Sequence, residues 1–194
     1  MPKKQQRNTK GRIISAAWKL FYQQGYENTT VEDILELSGT SKGTFYHYFE
    51  GKDALLGTLS VLFDEKYEQL IPTLDPDMNA LEALAYLNRE LFAMIDLSVP
   101  MELLARLLST QLVTRGEKHL LDRDRLYFRL LREIVTRGQE KGEIRTDYSV
   151  SEITRAYAMM ERALMYDWCL RGGDYALSRY SGEIMGMFLS SYAK

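Results

Sequence analysis

The chain has one cysteine, Cys169, two histidines, His47 and His119, and four prolines in 194 residues. A single thiol cannot close an intramolecular disulfide, and so few histidines and cysteines cannot assemble a cysteine-rich metal framework, so a reducing compartment and no bound metal are expected. No nucleophile elbow, phosphate loop or two-histidine metal motif occurs, and the chain is poor in the parts an enzyme needs; neither catalytic residues nor a cofactor are expected. No apolar run approaches the ~20 residues of a membrane span. The basic segment from Met1 to Arg12 leads into an amphipathic pattern rather than a cleavable apolar stretch, which points to a cytoplasmic protein without membrane contact.

With proline so scarce, apolar residues recur at spacings of three and four, and the chain is expected to be all-α. The first helix is predicted from about Thr9 to Gln24, with Ile13, Ala17, Leu20 and Phe21 on one face and Gly25 as its stop. The second starts after Thr29 or Thr30, where Thr29 and Glu32 have the spacing of a capping box, buries Val31, Ile34 and Leu35, and ends at Gly39. The third covers Lys42 to about Tyr48 behind Ser41 as its cap, and a long fourth runs from Lys52 to about Leu70. Five more are predicted near Asn79 to Leu97, Pro100 to Arg115, Leu120 to Lys141, Ser149 to Arg171 and Asp174 to Tyr192, with Gly116, Gly142 and Gly172-Gly173 as stops.

Charge is unevenly placed. Residues 1–52 hold eight Lys or Arg against five acids, whereas the whole chain carries a net charge of -2. The first twelve residues contain five positive charges and no negative one, a composition suited to an arm near phosphates. Two helices joined by the tight turn Ser38-Gly39-Thr40-Ser41 have the helix-turn-helix format, whose second helix enters the major groove of DNA. In that second helix Phe45 and Phe49 lie one turn apart and face the core together. Lys42, Thr44, Tyr46, His47 and Tyr48 are left to point outward, a set of hydrogen-bonding side chains with aromatic bodies that no core requires.

Thr30-Val31-x-Asp33-Ile34 followed by Gly39-Thr40-Ser41-Lys42-Gly43-Thr44-Phe45-Tyr46-x-Tyr48-Phe49-x-x-Lys52-x-x-Leu55 resembles the N-terminal signature of the tetracycline-repressor-like (TetR) regulators. The resemblance covers roughly residues 9 to 56. It implies a DNA-binding domain over residues 1–56, with a basic arm over 1–12, and a helical ligand-binding and dimerisation domain over 57–194. It also implies phosphate contacts from Thr30, Tyr48 and Lys52, and base or mixed contacts from Lys42, Thr44, Tyr46 and His47. Gly43 clears space for a phosphate at the start of the third helix. Leu35 departs from the small alanine usual at its position. Repression is the default of that family, with double-stranded operator DNA and a small-molecule effector as partners.

Downstream, Asn88 falls inside the apolar stripe of Leu81, Leu84, Leu91, Phe92 and Ile95, and Gln111 shares the face of Leu104, Leu107 and Leu108. Buried amides need partners, and a ligand can be one. With Tyr127, Tyr157, Glu161 and Trp168 they form the candidate effector site, a mix of aromatic and acidic groups suited to a partly apolar molecule, a cationic one included. For each residue taken alone, an ordinary core with internally satisfied amides is the favoured explanation. In the last helix Ser178, Gly182, Gly186 and Ser190 form a row of small residues beside Phe188, a candidate homodimer interface. Rival readings are an enzyme, which the missing motifs disfavour, and a small-molecule-binding module whose DNA head no longer functions.

Overall fold

A computed structural model describes the backbone of residues 2–113 and 118–194, and side chains from Thr9 onward within those ranges. Ten α-helices make up the described chain: α1 Pro2–Gln24, α2 Val31–Ser38, α3 Lys42–Tyr48, α4 Lys52–Leu56, α5 Leu59–Leu70, α6 Ala80–Ser98, α7 Met101–Val113, α8 Leu126–Glu140, α9 Val150–Leu170 and α10 Leu177–Ser190. Two 3-10 turns, Ile71–Thr73 and His119–Leu121, lie between them. No strand occurs among the described residues, only an isolated bridge between Ile144 and Ala193. The all-α expectation holds.

The local chemistry of the first three helices explains their ends. The capping box of α2 uses Thr30 and Asp33, not Thr29 and Glu32: Asp33 N–H donates to Thr30 Oγ1 at 3.1 Å, and Thr30 N–H donates to Asp33 Oδ2 at 2.8 Å. Thr29 is instead buried, its hydroxyl donating to the Gly25 carbonyl at 2.8 Å. A carboxylate one methylene shorter than glutamate closes the box just as well when it sits at the third helical position. Gly39 ends α2 at φ 61°, a left-handed conformation that glycine adopts without a side-chain clash.

The long helix predicted from Lys52 to Leu70 is two helices. At Gly57 and Thr58 the backbone tightens, with Thr58 N–H bonded to the Leu55 carbonyl and Ser60 N–H to that of Gly57. The Thr58 hydroxyl donates to Leu55 O at 2.6 Å and accepts from the Trp18 indole N–H at 2.8 Å. A tertiary contact therefore bends a segment whose periodicity reads as continuous.

Helix α1 begins at Pro2 rather than near Thr9, so the expected basic arm is largely helical backbone; most other helices start or stop within a few residues of expectation, for local reasons. Asn79 caps α6, its Oδ1 accepting from Leu81 N–H at 2.9 Å. Ser149 and Glu152 form a full capping box on α9. The helix expected from Leu120 begins only at Leu126, because Asp122 Oδ1 accepts from Asp124 N–H at 2.9 Å and holds a turn there. Residues 114–117, including the expected stop at Gly116, lie outside the described residues.

Helix α6 runs through the centre and packs on α10, α8 and α5, while α9 is flanked by α7, α8 and α10. Its Leu84, Leu87, Leu91, Phe92 and Ile95 are all buried. Each fully buried side chain of this size contributes about 1.5–3 kcal/mol relative to exposure. The N-terminal module packs Ile13, Ala17 and Phe21 of α1 with Ile34 of α2 and Phe45 and Phe49 at α3.

Candidate nucleic-acid interface and interior polar cluster

The face of α3 follows from its anchoring. Ser41 caps the helix, its Oγ accepting from Thr44 N–H at 3.2 Å, and Phe45 and Phe49 stack at 5.7 Å between ring centroids. Phe45 is 0% exposed. With that side locked, Lys42, Gly43, Tyr46 and His47 are exposed and Thr44 and Tyr48 half-buried. Tyr46 is 48% exposed, an aromatic ring presented to solvent beside hydrogen-bonding neighbours. Lys42 lies 3.6 Å from Glu32 in an exposed pair, which screening makes weak and easily exchanged for a phosphate. A Cβ at Gly43 would meet nothing within 4 Å, so the helix start is open on that side.

Lys52 is placed differently from its neighbours in the motif. Its ammonium donates to the carbonyls of Tyr26 at 2.7 Å and Thr29 at 2.8 Å and lies 4.1 Å from the centroid of the Tyr26 ring. Burial lowers its pKa, opposed by the nearby Asp53 carboxylate. Tyr26 in turn donates to Asp53, and burial, with that carboxylate, raises its pKa. Lys52 thus ties α4 to the α1–α2 loop, directly beside Thr30. Nothing in the motif spacing distinguishes such a tie from a free phosphate clamp.

In the C-terminal half, Asn88, Tyr127, Tyr157 and Glu161 come together. Asn88 Nδ2 donates to Glu161 Oε1 at 3.0 Å, Tyr127 OH donates to Oε2 at 2.6 Å, and Tyr157 OH donates to the Leu84 carbonyl at 2.8 Å. Glu161 is 2% exposed. Burial raises its pKa, and the hydrogen bonds from Tyr127 and Asn88 oppose the rise. Tyr67, missed in the sequence, stacks on Tyr127 at 5.2 Å, and its buried hydroxyl has no partner; nor does Asn88 Oδ1. The space beside them is about 30 Å3, room for about one water. Arg125 closes one wall, held by both Asp64 oxygens at 2.8 and 3.1 Å.

Gln111 and Trp168 lie apart from that cluster. Gln111 Oε1 accepts from Leu120 N–H at 3.3 Å, at the edge of a surface groove. The Trp168 indole donates to the Tyr175 carbonyl at 2.9 Å and supports the connection from α9 to α10. On α10, Ser178 is engaged within the chain: its N–H and hydroxyl both donate to Asp96 of α6, at 2.9 and 2.6 Å. Gly182 and Gly186 are exposed, with nothing within 4 Å of a Cβ at either, and Phe188 is half-buried beside them.

Several contacts join the two halves and carried no signal in the sequence. Tyr22 OH donates to the Ser98 carbonyl at 2.6 Å, and Arg106 of α7 pairs with Glu27 of the α1–α2 loop. The His119 ring packs so closely on the α4–α5 break that a Cβ at Gly57 would lie 2.5 Å from its Cδ2.

Fold and site together define a helix-turn-helix DNA-binding transcriptional regulator. Residues 13–59 match the model of the bacterial regulatory proteins of the tetR family, so the likeness to that family lies in the helix-turn-helix module. A helix-turn-helix regulator encoded in the lacX 3' region of Lactococcus lactis subsp. lactis is 48% identical over 46 residues, 24% of each chain; the match thus spans about a quarter of that relative. The fatty acid metabolism regulator protein of Bacillus subtilis is 26% identical over 195 residues, covering 96% of this chain and 97% of its own. The crystal structure of Thermus thermophilus FadR, a TetR-family repressor in complex with lauroyl-CoA, superposes with a TM-score of 0.73 at 24% identity, over 92% of each chain. Among the described residues no helix is long and apolar enough to cross a membrane.

Proposed function

We propose that this regulator is a repressor that binds a pseudo-palindromic operator as a homodimer and leaves it when an acyl-CoA thioester enters the C-terminal domain. The observation that carries the DNA half is α3: Phe45 and Phe49 hold one side, and Lys42, Thr44, Tyr46 and His47 stand on the other. Thr44 and Tyr46 reach base edges, Lys42 and Tyr48 contact phosphate, and Thr30 contacts phosphate at the start of α2, where the helix end is partially positive. Lys52 serves the interface by fixing α4 against the α1–α2 loop, with one N–H left for a phosphate. The acyl-CoA half is supported by the fatty acid regulator of B. subtilis and by the lauroyl-CoA complex of the Thermus protein.

We divide the chain functionally at the α4–α5 break, residues 1–56 for DNA and 57–194 for effector and partner. The dimer face is α10, where the open row of Gly182 and Gly186 allows a second helix to approach closely beside Phe188. Half-sites about 34–36 Å apart would then be read by two copies of α3. Effector entry near Asn88, Tyr127, Tyr157 and Glu161 shifts α7 and His119 against Gly57 and so moves α4. Because the DNA sets the half-site spacing, a small movement breaks contacts on one side.

The test is reciprocal. Operator fragments are selected from genomic DNA, and lauroyl-CoA affinity is measured with and without them. A 100-fold release corresponds to about 2.7 kcal/mol of differential binding, and operator must weaken lauroyl-CoA by the same factor. Equal affinity in both conditions rules the switch out, and sedimentation as a monomer at low micromolar concentration rules out the dimer.

A further inference from the structure

Between α8 and α9 lies a groove of about 670 Å3 lined by four arginines, Arg123, Arg132, Arg155 and Arg162, and by no carboxylate. Among the described residues none of the four forms an ion pair. Four like charges converging repel one another, in a chain whose net charge is -2, and only Arg162 feels a nearby carboxylate, that of Glu161 behind the groove wall. A second observation comes from Thr154, also in the groove wall. It is 4% exposed, and its hydroxyl has no hydrogen-bond partner. A buried hydroxyl left unpaired is unfavourable, and an oxygen acceptor seated in the groove would satisfy it.

Arg162 also borders two other spaces. One is the small cavity beside Glu161; the other is a groove of about 590 Å3 between α7 and α9, walled by Leu108, Leu112, Leu121 and Tyr166. Leu112 is 70% exposed. An apolar trough and a cationic trough therefore share one guanidinium, the layout that an amphiphile with an apolar chain and a multiply charged anionic head would fill.

We propose that the α8–α9 groove holds the phosphate-bearing head of the effector, with Arg123, Arg132, Arg155 and Arg162 on phosphate oxygens, Thr154 donating to one of them, and the acyl chain lying past Arg162 in the apolar groove. The planar fork of arginine suits two-point binding of phosphate. The proposal rests on the acyl-CoA reading above and adds the residues that select a coenzyme A thioester over the free fatty acid.

Lauroyl-CoA, free coenzyme A and laurate are titrated by calorimetry into the full chain and into the double variant Arg132→Gln with Arg155→Gln. Both positions are solvent-accessible helix sites, and thermal melting and operator affinity of the variant are checked alongside. The variant is expected to lose about tenfold or more in affinity for lauroyl-CoA and coenzyme A, with a flatter salt dependence, while laurate binding stays the same. If lauroyl-CoA releases operator and the variant binds it as tightly as the parent, the groove assignment is overturned and the effector reading stands. If lauroyl-CoA leaves operator bound but coenzyme A binds the parent and not the variant, the groove stands and the effector reading falls. If neither compound binds the parent, both fall.

Discussion

The N-terminal module and the C-terminal domain use polar side chains in opposite ways. On α3 they are turned outward over a fully apolar interior, and Tyr46 is half exposed above a Phe45 that water never touches. In the C-terminal domain they are turned inward: Asn88, Tyr127, Tyr157 and Glu161 meet in the middle of the bundle, with the Tyr67 hydroxyl and Asn88 Oδ1 unpaired. An outward set costs the fold little and waits for a large, hydrated polyanion. An inward set is a standing desolvation penalty, relieved only in part by its own hydrogen bonds. The first arrangement suits a partner read from outside, the second a ligand that enters.

Lys52 blurs this comparison, because it belongs to the DNA motif and yet points its ammonium inward at two carbonyls. Lys52→Ala is expected to cost about 2 kcal/mol of stability, since hydrogen bonds from a charged donor are worth about 1.5–3 kcal/mol each and partial exposure reduces that. Lys42→Ala should leave stability within about 0.5 kcal/mol and instead lower the slope of log affinity against log salt by about one unit. Urea melts and operator titrations at several salt concentrations separate the two. An unaltered melt for Lys52→Ala would return that residue to a purely DNA-facing role.

Tyr46→Ala sharpens the outward half of the comparison. It is expected to cost about 1–3 kcal/mol of operator affinity, or to change the preferred sequence, with circular dichroism and melting unchanged. Wild-type affinity and sequence preference at matched salt would take α3 out of the groove.

Glu161→Gln examines the inward half and should have the smallest effect. Burial lifts the Glu161 carboxyl above its ordinary value of 4.5. The folded chain then binds that proton more tightly than the unfolded chain, so the stabilisation is complete below pH 4.5 and is lost as pH rises through the lifted value. Relative to Glu161→Gln, the parent should lose stability on going from pH 4.5 upward. Parallel urea-melt stabilities for the two proteins from pH 4.5 to about 8 would show that the carboxyl titrates normally and the interior is wetter than its geometry indicates.

Much of the candidate DNA interface was legible in the sequence because its parts are local. Ser41, Phe45 and Phe49 set the cap and the buried side of one short helix, and a helical period alone then assigns Lys42, Tyr46 and His47 to the other side. The interior cluster was legible only as suspicion. Asn88 stands 73 residues and Tyr127 34 residues from Glu161, and each alone is compatible with an ordinary core. Tyr67 gave no signal, since a tyrosine on the apolar face of a helix looks the same whether its hydroxyl is satisfied or not. Trp168 looked like a cavity wall, but its indole N–H is committed to Tyr175.

By itself the sequence determined the helical character of the chain, the helix-turn-helix and its outward face, since propensity, caps and apolar spacing act over a few neighbouring residues. Tertiary structure decided the break at Gly57 and Thr58, the inward aim of Lys52, the meeting of three helices around Glu161 and the four arginines of the α8–α9 groove. Each of these depends on which distant helix lies alongside, and a spacing of three and four residues carries no information about that neighbour.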